Sequence, residues 1–407
     1  MPYCVLGCRL KKILKIAGRV AVGVLLTVYV AVAALNYSVV QSYLGMAVGE
    51  YFSREWGGQV KIGSLHATPW DHLIADNLLM VDPYGDTILD AKRLSVRFRR
   101  FPFKGGDIDD GGINTGTLTM DRVYLRDAYY HLAITEDSVT GRDEINLQHI
   151  IDYFNDGRKD KDDDSTHHTF TIDVNTLVLN RVHYRMDLPE FGKTKPEHGV
   201  DIPHMEFFDI NARFKDLHVV NEDVTVRILK MSTLEKSGFK VDNISGEVHV
   251  GRHDITVKNL DVETPRSHIM ADARMDYPNW MPNYLQTVQH ELLLKEGTTV
   301  NFSDIAYWAP VLWGIDAQLR ADGTASGTID NLVTEGLNVY YGGATEVVVA
   351  GTVKGLPDIE NTVFNIDHLG LKTEESDLRR LSAGLPQLPE RLVKQLCKGE
   401  YLDLHYR

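Results

Sequence analysis

A chain of 407 residues with 43% apolar side chains can build packed cores in two or three units of about 100–200 residues, and is not a disordered polymer. Its formal charge of −14, from 43 Lys and Arg against 57 Asp and Glu, repels a phosphate backbone and argues against nucleic acid as a partner. The three cysteines are Cys4, Cys8 and Cys397, so the long stretch between Cys8 and Cys397 holds no internal disulfide in any compartment.

Residues 1–19 are basic, with Arg9, Lys11, Lys12, Lys15 and Arg19, and no further charge follows until Glu50. The run "VAVGVLLTVYVAVAAL", Val20 to Leu35, predicts a membrane helix over 20–40, centred on Val24, Leu25, Leu26, Val28 and Val30 with Arg19 snorkelling to the interface. The positive-inside rule places 1–19 in the cytoplasm and the bulk of the chain across the membrane. A cleaved secretory signal is the rival, since Ala31-Val32-Ala33 is an A-x-A site; the uncharged stretch continuing past it favours an anchor. Next, 41–57 predicts an amphipathic helix, with Val40, Leu44, Ala47 and Tyr51 at helical spacing and a stop at Gly57-Gly58. Its expected role is to cap the first edge of a sheet.

Beyond Gly58 the pattern is strand after strand, separated by Gly, Asn and Asp turns, with no βα alternation. In "DAKRLSVRFRRF", Leu94, Val96 and Phe98 alternate with Ser95, Arg97 and Arg99. The same period recurs at 60–67, at 117–127, at 176–187 with Leu177 and Leu179, at 246–264 and at 336–353 with Leu337 and Val339. Within 246–264, Val248 and Val250 form one apolar set and Ile255 and Val257 another, with Leu260 joining after a local irregularity. One helix interrupts a first segment, 58–154, where Leu147, Ile150, Ile151 and Phe154 make an amphipathic stripe over 147–154. An acidic exposed loop, 155–168, then separates it from a second segment, 169–396, and 397–407 is a divergent tail.

Chemical motifs are missing. Asp160, Asp162 and Asp164 imitate a calcium loop, but Ser165 stands where the turn needs Gly and Thr171 where it needs Glu. His167 and His168 are adjacent, so on a strand they point to opposite faces. No G-x-S-x-G elbow, H-E-x-x-H, Walker loop or dinucleotide fingerprint occurs. The expectation is therefore no catalytic, metal or cofactor-binding residues, and no enzyme. Periodicity alone points first to a closed β-sandwich, a non-catalytic envelope scaffold or adhesin.

"VQSYLGMAVGEYFSREWGGQVKIGSL" followed by "LIADNLLMVDPYGDTILDAKRLSVRF" resembles the start of AsmA-like proteins, in particular the Bacteroidetes group of the translocation and assembly module subunit TamB. Later blocks, among them "STLEKSGFKVDNISGEV", "LDVETPRSHIMADARMDYP" and "LRADGTASGTIDNLVTEGLNVYYGG", are similar to successive pieces of that family, so the likeness spans nearly all of 1–396. The resemblance implies a mainly β fold: an inner-membrane helix and a short amphipathic helix, then an elongated curved sheet, a β-taco or repeating β-groove, with few short helices. It implies a role in outer-membrane biogenesis, guiding phospholipid or nascent outer-membrane protein, with a BamA-like assembly partner in the outer membrane. The apolar sets Leu94, Val96, Phe98, Leu177, Leu179, Val248, Val250, Ile255, Val257, Leu337 and Val339 then become the lining that meets acyl chains. "CKGEYLDLHYR" at 397–407 departs from the family's continuation; a frameshifted or prematurely ended product and a natural short variant both fit it.

Overall fold

The computed structural model describes residues 22–24, 26–27, 29–30, 33, 37–68, 71–99, 117–136, 143–147, 150, 171–188, 197–220, 223–278, 284–356, 362–374, 376–377, 379–380 and 402–404. The helix expected at 147–154 and the loop at 155–168 fall almost wholly outside them, as does most of the tail.

The first described element of length is helix α1 (Ser38–Trp56), ended by Gly57 in the left-handed region at φ 76°. The strands follow: β1 (Gln59–Ala67), β2 (His72–Val81), β3 (Thr87–Phe98), β4 (Thr117–Glu136), β5 (Asp143–Ile145), β6 (Thr171–Asp187), β7 (Glu206–Val220), β8 (Asp223–Glu235) and β9 (Lys240–Val250). They continue with β10 (Asp254–Glu263), β11 (His268–Asp276), β12 (Gln289–Leu294), β13 (Thr299–Asn301), β14 (Gln318–Thr328), β15 (Asn331–Tyr341), β16 (Thr345–Lys354), β17 (Val363–Lys372) and β18 (Leu402–Leu404). Two single-turn helices, α2 (Tyr284–Thr287) and α3 (Phe302–Ile305), lie in the connections flanking β12 and β13.

The protein is mainly β, a long antiparallel sheet in which nearly every strand pairs with its neighbour in sequence. The run continues from β11 through β12 and β13 to β14 and on to β18. One step differs: β4 and β6 are parallel, Leu125 opposite Leu179, with β5 folded back on the end of β4. That pairing carries the sheet unbroken from 58–154 into 169–396.

α1 lies on β1. Leu44, Val48, Phe52 and Trp56 pack over Val60, Ile62, Leu65, Ala75 and Leu78. The contact stripe differs from the expected one, for Ala47 and Tyr51 are exposed while Gly45 and Gly49 are buried. Glycine explains it: a Cβ on Gly45 would stand 2.7 Å from the Ile62 carbonyl oxygen, and one on Gly49 2.8 Å from that of Val60. The helix is placed by close backbone approach at Gly45 and Gly49 together with the packing of Leu44, Val48, Phe52 and Trp56.

Within the strands, irregularities line up from one to the next. Asn77 in β2, Asp127 in β4, Arg181 in β6, Asp209 and Asp216 in β7 and Asn259 in β10 all have φ between 49° and 53°. Across these points the inward set steps by three instead of two, from Ala75 to Leu78, from Leu125 to Ala128 and from Leu179 to Val182. Strict alternation would put residues three apart on opposite faces; one residue turned out of the pleat returns both to the same face and bends the strand. This is why β4 outruns its sequence pattern. The 117–127 alternation breaks at Asp127, where an acidic residue reads as a turn, but the strand passes through Asp127 in the left-handed region and continues to Glu136.

Candidate functional site

Direct cross-strand partners share a face, so the register can be followed across the sheet. Leu94 is opposite Leu125, and Val96 opposite Val123; Leu125 and Val123 are in turn opposite Leu179 and Leu177. Leu177 faces Phe214, which faces Ile228, and two residues along β8 Val226 faces Val248, which faces Val257. Val250 is opposite Ile255. Val257 then leads through Ala273 and Leu292 to Ala325, and Leu294 through Gly323 to Leu337 and Val349. Val339 lies between Ala321 and Val347, and Phe98 opposite Met120. All eleven residues singled out from the alternation therefore stand on one continuous face, as does Leu260, opposite Ala271 beyond the bulge at Asn259.

That face is not sealed. Of the eleven, Val96 alone is buried, at 9% exposure, and the other ten are half-buried. The packed clusters around Ala91, Ala128 and Val182, and around Val96, Met120 and Val174, draw only on strands β3, β4, β6 and β7 that neighbour one another in the sheet. Side chains held between two stacked sheets lose nearly all contact with water. Here the largest fully buried side chains among the described residues are only Ile88, Val288 and Thr298. Toward β17 the apolar surface opens further, with Phe364 62% exposed.

The other face is charged. Arg93 pairs with Asp76 at 2.6 Å, Arg181 with Asp127 at 2.6 Å, Lys295 with Asp272 at 2.8 Å and Arg274 with Asp276 at 2.7 Å. The hydrogen bond that Arg93 donates to Asp76 raises the Arg93 pKa, and the one that Lys295 donates to Asp272, helped by the Asn259 backbone N–H, lowers that of Asp272. Half-exposed pairs of this kind contribute little stability; they keep one face wet while the other stays apolar.

At one rim the segments 197–200, 236–239 and 302–313 meet. The Val200 N–H donates to the Tyr307 carbonyl at 2.7 Å, Phe239 lies 5.5 Å from both Tyr307 and Trp308, and His198 stacks on Trp313 at 4.7 Å. On the strands leading to this rim, Asp187 accepts from His131 at 2.7 Å, Arg185 at 2.8 Å and His204 at 3.1 Å. Glu206 joins His183 at 2.8 Å and Lys236 at 2.7 Å. Sequence reasoning passed over this cluster because its members come from β4, β6, β7 and two loops.

The sequence also named no metal ligands, yet pairing across the β10–β11 hairpin gathers Asp261, Glu263 and His268, whose ligand atoms lie within 4.8 Å of one another. The signal was present as a D-x-E, four residues and a His, but it becomes legible only once the turn "TPRS" sets Glu263 opposite His268. Of the expected membrane anchor, Arg19, Leu25 and Val28 lie outside the described residues. Val24, Leu26 and Val30 are helical and 58%, 64% and 58% exposed. Among the described residues no helix is long and apolar enough to cross a membrane. A scan against models of protein families and a search of curated proteins each find no match for this chain.

Proposed function

We propose that this protein is an inner-membrane-anchored, periplasmic conduit of the AsmA and TamB kind. Its sheet bends along the aligned bulges into an apolar trough that guides phospholipid, or nascent outer-membrane protein, toward the outer membrane. The observation that carries this reading is the continuous apolar face from β3 to β16, left largely half-exposed rather than closed by a second sheet. Exposing an acyl chain to water costs about 0.8 kcal/mol per CH₂, so a continuous apolar path lowers the barrier to transfer by never exposing the tail. Headgroups stay at the open rim. The trough supplies a path and no chemistry; direction comes from its ends, the anchor over 20–40 and a BamA-like partner at the outer membrane. α1 suits a position next to the anchor, because the side turned from the sheet exposes Tyr43, Met46 and Tyr51 where a headgroup layer would lie.

Photocrosslinking in cells tests it. Reactive side chains at Val96, Val257 and Val339 are expected to capture phospholipid, and the adjacent positions Arg97 and Lys258, on the charged face, are not. Equal labelling of both sets, or labelling of neither, overturns the conduit in favour of a structural role.

A further inference from the structure

The geometry points to a divalent-cation site of the zinc class on the charged face, held by Asp261, Glu263 and His268, with Asn243 as a fourth donor. Asp261 and Glu263 are two apart on β10 and so share a face, and His268 of β11 is the direct partner of Glu263. Their ligand atoms lie within 4.8 Å of one another, and the His268 Nε2 to Asp261 Oδ1 distance is 3.1 Å. Ligands about 2.1 Å from a tetrahedral metal stand about 3.4 Å apart, so the widest separation here closes by up to about 1.4 Å, within the reach of side-chain rotation at partly exposed residues.

The turn that joins the strands is fixed from outside. Thr264 Oγ1 accepts the Ser267 N–H at 2.7 Å, and the Thr264 and Ser267 hydroxyls donate to Asp304 Oδ2 at 2.6 Å and 2.7 Å. The two strands are thus held in the register that presents the three donors together, before any ion arrives.

An independent observation comes from β9. Asn243 is the direct partner of Glu263 on its other side and projects from the same face. Its side-chain oxygen is shielded from solvent and accepts no hydrogen bond. A shielded, unpaired carbonyl oxygen is costly, and a cation held beside Glu263 would answer it.

The charge balance agrees. Glu263 makes no ion pair among the described residues, and the cation of the turn, Arg266, is drawn away to Ser303 Oγ at 2.7 Å and Asp316 at 3.9 Å. Two carboxylates, an imidazole and an amide oxygen select a zinc-class ion; calcium and magnesium prefer all-oxygen shells. Binding takes the unprotonated Nε2 of His268, with the ring proton on Nδ1.

The test is zinc titration of the full-length protein in detergent, by calorimetry and by metal analysis after dialysis, beside calcium as a second probe. Wild type is expected to retain one more equivalent of zinc than His268→Ala, and Glu263→Gln to weaken that equivalent at least tenfold. Asn243→Ala should weaken it several-fold, and His249→Ala, on the neighbouring strand, should leave it unchanged. His268 and Asp261 are partly exposed, so the variants keep the wild-type far-ultraviolet spectrum, and zinc should raise the melting temperature of wild type but not of His268→Ala. Equal zinc retention by wild type and His268→Ala, or equal displacement of the ion by calcium, overturns the site. The site lies on the face opposite the trough, so its loss and loss of bound lipid are read separately.

Discussion

Asp187 is pulled in two directions. Burial pushes its carboxyl up, but hydrogen bonds from His131, Arg185 and His204 outweigh that and hold it below the usual carboxylate range. Glu206 is held down first by Lys236, then by His183, against its own burial. A carboxyl whose pKa is lower in the folded chain contributes stability that is present above its unfolded value and lost as pH falls through the folded one. The melting temperature is therefore expected to hold steady above about pH 5 and to fall below about pH 4. In the double variant Asp187→Asn, Glu206→Gln that acid slope should be shallower and the plateau lower, as calorimetry between these limits would record. An unchanged slope would mean that the cluster is indifferent to folding. At this scale the sequence was least legible: Asn77 and Asp127 are residue types common in turns, yet each sits inside a strand, because Asn and Asp enter the left-handed region at little cost.

At the scale of single elements, α1 shows how a sheet edge is closed. Ser53 Oγ accepts the Val60 N–H at 2.7 Å and approaches the Gly49 and Val60 carbonyl oxygens at 2.7 Å and 3.1 Å, so the helix satisfies the edge of β1 with one hydroxyl. Ser53→Ala is expected to cost about 1 kcal/mol, the usual worth of such a bond. Gly45→Val should cost more, since its Cβ would stand 2.7 Å from the Ile62 carbonyl and the helix must lift. Amide exchange in β1 would report both, faster in Gly45→Val than in Ser53→Ala; unchanged exchange in Gly45→Val would show that α1 does not guard the edge. The helix itself was readable from its apolar spacing and its Gly57 stop, whereas the face it turns inward was not. Glycine has no hydropathy signal, and only the proximity of β1 gives Gly45 and Gly49 their meaning.

Across the whole molecule, the half-exposed apolar face separates two mechanical outcomes. In an open trough, Val257→Arg can carry its charge along its long stem toward water, so the melting temperature should fall by only a few degrees while co-purified phospholipid drops. In a closed core the same guanidinium would be buried without a partner, at a cost approaching the whole stability margin of about 5–15 kcal/mol. Thermal melting beside mass spectrometry of bound lipid measures both quantities on one preparation. Gross unfolding of the variant, together with no lipid in the wild type, would return the fold to a sandwich-like scaffold.

The alternation of apolar and polar residues determined by itself that the chain is a succession of strands, and which residues share a face within each, because a strand's side-chain period is two whatever surrounds it. Leu94, Val96 and Phe98 needed nothing more. Between strands the sequence had no such rule. Only the tertiary register joined Val96 to Leu177 through Val123, and Val257 to Leu292 through Ala273, into one surface. Only the tertiary structure, too, decided that this surface stays half-open, since an apolar side chain looks the same in sequence whether or not another sheet covers it. The grouping of Asp261, Glu263 and His268 with Asn243 belongs to that second kind of information: it arises where three strands pair, and pairing is decided by the whole sheet.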